Sequence, residues 1–249
     1  MVDHWLMHHL RRSLIWLTIF SVAMGFLESA VVIYLRQLYY PNGFEFPLAI
    51  IPHNIAVVEL LREAATIIML LSIGIIAGKN IAQRFAFFIF SFAVWDIGYY
   101  VFLKWVLGWP SSLFTWDILF LIPVPWVGPV IAPCIVSATM IFLTLIIIVA
   151  AEKDEHVRIS KTQWLMLSSG GFVIFLSFMY DYLHYIFQSG HSIWTPATEQ
   201  EMFLEISNYI PQSFNWWMFG IGEVLTLIGV ISIQRAINSL RQKTQSAVS

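Results

Sequence analysis

Six apolar runs constrain this chain more than anything else in it. Crossing about 30 Å of hydrocarbon takes roughly 20 helical residues. Runs of that length lie at approximately 13–35, 57–78, 82–107, 128–151, 162–187 and 213–237 of the 249 residues. A backbone in lipid must satisfy its own hydrogen bonds, so these runs are expected to be helices. The fold class is therefore all-α: a polytopic membrane helix bundle of about six transmembrane helices, forming a single integral membrane domain over 1–249. Charged residues make up only 11% of the chain, against roughly 25% in soluble domains. The formal net charge of -2 gives no basic footprint for nucleic acid. The lipid bilayer is the first partner.

Basic residues set the expected orientation. Arg11, Arg12, Lys79, Arg84, Lys153, Arg158, Lys161, Arg235, Arg241 and Lys243 fall at one end of the alternating spans. The positive-inside rule makes that end cytoplasmic. Both termini are then cytoplasmic, in a cell inner (plasma) membrane. The first run holds Glu28 and is longer than a signal-peptide apolar region, so it reads as a retained helix. The single cysteine, Cys134, excludes an intrachain disulfide framework and reads as a small core residue.

The three outer connections differ in chemistry. The first carries Pro41-Asn42-Gly43 and two further prolines, which predict irregular chain or a short hairpin. In the second, Ser112 to Ile122 is expected to form a short interfacial or re-entrant helix stopped by Pro123 and Pro125. In the third, Thr198 and Glu201 fit a capping box, and an apolar stripe opposes Glu199, Glu201 and Glu205. An amphipathic helix over 198–210 is expected on the outer surface, where its acidic face offers a docking place for a membrane-protein partner.

The acids inside the spans are the chemistry-bearing residues. Counting inward at 1.5 Å per residue puts Glu59, His184, Glu28, Glu63, Asp181, Glu223 and Asp96 between ~5 and ~15 Å from the outer ends of their helices. The cytoplasmic half carries no such acid. A charged group at a helix centre costs roughly 2.5–3.5 kcal/mol on insertion scales, so the set demands compensation. Intramembrane ionisable residues are a functional-site hypothesis by default. Glu59 and Glu63 share one helix face with Arg62 between them, and Asp181 and His184 stand three apart on another helix.

Three functions fit this pattern. The leading one is a metal-dependent membrane enzyme acting on a lipid-like or small apolar substrate. Asp181, His184, Glu59, Glu63 and Glu28 would be the ligands of a divalent cation. Carboxylate-rich sites favour Mg, Mn or Fe, and a zinc site would draw on His53, His184 and Asp181. Asp96 or Glu223 would serve as general acid/base, and Arg62 and Lys104 would steady an anionic group. The second function is an ion- or proton-coupled transporter or proton-handling protein, which also places acids near the midplane in a pocket open to one side. The third is a subunit of a membrane complex, docked through helix 198–210. The N-terminal His4, His8 and His9 have histidine-box spacing but sit on the cytoplasmic side, and read as a solvated or interfacial cluster. No phosphate-binding glycine loop and no nucleophile elbow occurs in the sequence.

Overall fold

A computed structural model describes residues 2–153, 159–188 and 207–248. Six long helices dominate: α1 (Val2–Tyr39), α2 (His53–Ala77), α3 (Ile81–Leu107), α4 (Ile131–Lys153), α5 (Lys161–Gln188) and α6 (Trp216–Val248). Each contains a stretch long and apolar enough to cross a membrane. The distribution of side chains is that of a protein dissolved in lipid. Large apolar residues such as Trp16, Leu27, Ile76, Trp105 and Trp217 are exposed, while Ser21, Ser29, Ser137 and Thr144 are buried. With hydrocarbon outside, small polar groups do better between helices, where some of them find carbonyl partners. Ser29 Oγ donates to Gly25 O at 2.7 Å and lies 3.1 Å from Tyr99 O, and Thr144 Oγ1 donates to Ala86 O at 2.9 Å.

Helix α3 is the hub. It packs along α1, α2 and α4, while α5 and α6 pair with each other and join the rest where α6 meets α4 and α5 meets the α3–α4 connection. Glycines permit the closest approaches. A Cβ on Gly25 of α1 would stand 2.8 Å from Trp95 O of α3, and one on Gly170 of α5 only 2.8 Å from Gly222 O of α6. An extended apolar core, including Leu17, Phe87, Ile147 and Val230, fills the end away from the α3–α4 connection. The buried carboxylates lie toward the other end.

The α3–α4 connection differs from expectation. Instead of an interfacial or re-entrant helix over Ser112 to Ile122, the chain forms strand β1 (Trp116–Phe120), paired antiparallel with β2 (Trp126–Pro129). Trp, Ile, Phe and Val favour a pleated, half-buried surface. Pro123 and Pro125 leave too few residues for a stable helix but fit the turn between strands. Asp117 faces Gly128 in the register, and a Cβ on Gly128 would meet the Phe178 ring at 2.9 Å. The bundle is thus all-α in its spans but carries a two-stranded hairpin at one end. Because β2 takes residues 126–129, α4 begins at Ile131 and not at 128. Helix α2 starts about one turn earlier than expected, at His53. All but the last four residues of the expected amphipathic helix 198–210 lie outside the described residues. Ser207 and Asn208 end a helical turn, and Tyr209 is buried.

Candidate functional site

The three connections at the hairpin end meet over a cavity of about 260 Å³. Its walls come from two facing helical stripes. Helix α1 supplies Val32, Leu35, Arg36 and Tyr39, and α2 supplies Ala56, Glu59, Leu60 and Glu63. Both sets follow the i, i+3, i+4, i+7 spacing of a single helix face. Tyr99 of α3 and Tyr182 of α5 complete the sides, and Leu121 and Pro123 beyond β1 cover the top. Glu63 lies ten residues into α2, or ~15 Å along its axis.

Arg62 organises the floor. Its guanidinium bonds Glu59 of its own helix through Nε at 2.9 Å and Nη2 at 2.7 Å, and bonds Glu28 of α1 through Nη1. Thr66 Oγ1 donates to the second oxygen of Glu28 at 3.1 Å. Two carboxylates from different helices therefore share one cation. Glu63, one residue further along, accepts a hydrogen bond from the Leu121 backbone N–H at 2.9 Å and forms no ion pair among the described residues.

A second buried pair closes the top of the cavity. Arg36 of α1 donates through Nη2 to Asp117 of β1 at 3.1 Å. The guanidinium carbon lies 3.6 Å from the Trp109 ring centroid and 4.3 Å from that of Phe44. Flat, weakly hydrated guanidinium suits such stacking. Its Nη1 has no hydrogen-bond partner among the described residues. Asp117 is 1% exposed, and burial pushes its carboxyl up to about 6 against the opposing pull of Arg36. Tyr40 accepts the Ala49 N–H at 2.8 Å and pins the α1–α2 loop.

The other predicted residues go elsewhere. Asp96 accepts from Ser137 of α4 at 2.8 Å, and Glu223 accepts from Thr139 at 2.9 Å, its Oε1 having no partner among the described residues. Neither lines the cavity. Asp181 clamps the chain leading into α6: it accepts from Tyr209 Oη at 2.7 Å, Gln212 N at 3.0 Å and Ser213 N at 3.1 Å. Burial, with that hydrogen bond to Asp181, raises the Tyr209 phenol well beyond its ordinary range, so it stays a donor. His184 is not beside Asp181 in a common site. It is exposed, bonded to Gln188 at 2.8 Å and stacked on Tyr180. Lys104 donates to the carbonyls of Gly108 and Pro110 and caps α3.

Among the described residues no three His, Cys, Asp or Glu side chains converge in a way that could hold a metal ion. The floor does not fit a divalent cation, because the Arg62 guanidinium already bridges Glu28 and Glu59. Sequence spacing showed the Glu59–Arg62–Glu63 face but missed Asp117 and the Leu121 N–H as partners. The signal for Asp117 was a lone acid in an otherwise apolar segment.

Together, fold and site define a multi-pass membrane protein with a largely apolar cavity among its helices that holds a few buried charged side chains. No protein family matches the chain, and neither a curated protein nor a solved structure shows significant similarity to it.

Proposed function

We propose that the cavity binds a small organic cation and exchanges it against a proton, as the recognition step of a proton-coupled membrane transporter. One observation carries this reading: among the described residues Glu28 and Glu59 share Arg62 and Asp117 pairs with Arg36, so four carboxylates face two guanidiniums and Glu63 has no ion pair of its own. A buried carboxylate needs a compensating positive charge, and a proton and a ligand cation would compete for that role. The walls support the same ligand class, since Tyr39, Tyr40, Tyr99 and Tyr182 line the cavity, and aromatic faces attract ammonium groups. The volume of about 260 Å³ lies just below the roughly 300–1,000 Å³ of ordinary ligand pockets. By the positive-inside argument the cavity opens toward the outer face.

Hexyltrimethylammonium, with hexanol as its neutral counterpart, tests the proposal by calorimetry on protein in nanodiscs. Measurement in two buffers of different ionisation enthalpy reports protons released per ligand bound. The expected result is cation binding with proton release, the binding weakened and the proton release lost in Glu63→Gln. The affinity loss should be roughly 10–150-fold, the equivalent of a charge-assisted contact worth 1.5–3 kcal/mol. Glutamine keeps an acceptor for the Leu121 N–H, so the local fold survives. Equal binding of hexanol, or unchanged binding by the variant, would overturn the reading.

A further inference from the structure

Resting on the cation-binding reading of this cavity, we infer that its ligand is a single-chain amphiphile of the outer leaflet, which reaches the cavity sideways between α1 and α2. Both helices pack on α3, and among the described residues the bonds between them lie at the floor, where Arg62 and Thr66 of α2 reach Glu28 of α1. Their cavity-facing stripes, Val32 to Tyr39 and Ala56 to Glu63, stand opposite each other across the open space. Among the described residues, the other directions are lined by further elements. Helix α3 backs the cavity through Tyr99, α5 contributes Tyr182, and Leu48–Ile51 with Pro123–Pro125 roof the hairpin end. The roof is itself fastened, by the Glu63 bond to Leu121 N–H, by the Arg36–Asp117 pair and by the Ala49–Tyr40 bond. Among the described residues, the gap between α1 and α2 beyond the Arg62 floor carries little helix packing.

Size points to the same class of ligand. A cavity of about 260 Å³ holds the equivalent of roughly nine waters at ~30 Å³ each. That is room for a quaternary ammonium head and a few methylenes, not for a whole lipid. A head seated near Glu59 and Glu63 would leave its chain between α1 and α2 and in the surrounding hydrocarbon. Chain length would then be poorly discriminated, while head charge would decide binding.

The test uses dodecyltrimethylammonium carrying a mid-chain diazirine, photolysed with the full-length protein in nanodiscs and mapped by mass spectrometry. Labels are expected on peptides containing Val32–Tyr39 and Ala56–Leu60, and excess hexyltrimethylammonium should abolish them. Labels confined to Leu48–Ile51 and Pro123–Pro125 would mean access from water and would overturn the inference. So would labelling of the α1 and α2 peptides no higher than that of lipid-facing α6. Labelling of those peptides that hexyltrimethylammonium does not displace would support sideways access while refuting the cation site beneath it. The two failures are therefore separable.

Discussion

Replacing Arg62 by methionine should be among the most damaging single changes in the molecule. Its guanidinium is the only cation bonded to Glu28 and Glu59 among the described residues. The three side chains are 19%, 10% and 9% exposed, so little solvent is present to screen the charges left behind. Removing one member of a buried ion pair costs about 3–5 kcal/mol. For a chain of this size each kcal/mol moves the melting temperature by roughly 2–4 °C. The expected drop for Arg62→Met is therefore about 6–20 °C, read as thermal unfolding of protein in nanodiscs. The companion variant removes the stranded charges as well: Arg62→Met with Glu28→Gln and Glu59→Gln. Neutral replacement of a buried ionic cluster is often near-neutral in stability, so the triple variant should recover most of the loss. A shift under about 2 °C in the single variant would refute the shared-cation account. A triple variant as unstable as the single one would refute it equally.

Two further expectations test other parts of the structure. Gly170→Ala and Gly171→Ala are neighbours in sequence but should differ in sign. The first places a Cβ 2.8 Å from the Gly222 carbonyl and Thr226 N, while the second meets nothing within 4 Å. Overpacking there should cost about 1–3 kcal/mol, whereas alanine at 171 should be neutral or stabilise by up to about 1 kcal/mol through helix propensity; equal melting temperatures would contradict the α5–α6 contact. Asp117 sets a pH dependence. Its carboxyl titrates at about 6 when folded, against an ordinary 3.8, so the native state binds the proton more tightly than the unfolded chain. Its contribution to stability is full below pH ~4 and is lost as pH rises through ~6, by up to about 3 kcal/mol. Melting curves from pH 4 to 7.5 should fall further in the wild type than in Asp117→Asn; parallel pH profiles would show that Asp117 does not contribute to the fall.

The relation between sequence and site is clearest in three pairs of residues. Glu59 and Arg62 lie three apart on one helix, and their contact follows from local geometry. Asp181 and His184 have the same spacing, yet one is buried in a loop clamp and the other is exposed. Three residues turn a helix by 300°, leaving the side chains about 60° apart. That is close enough to share a face, and far enough for a neighbouring chain to cover one and not the other. Arg36 and Asp117 are 81 positions apart, and no periodicity links them. Their pairing exists because the β1–β2 hairpin returns over α1.

What the sequence by itself determined was the number and approximate limits of the spans, the exposure of apolar faces to lipid, and the toll of six intramembrane acids. Those follow from local physics: hydrocarbon requires about twenty apolar residues per crossing, and charge in hydrocarbon requires compensation. Only the tertiary structure decided which partner each acid received. It gave Glu28 and Glu59 a shared arginine, Asp96 and Glu223 a hydroxyl each, Asp181 three donors from one loop, and Glu63 a single backbone N–H. Helix phase restricts where a side chain points, but the group it meets belongs to another part of the chain, brought there by packing around α3.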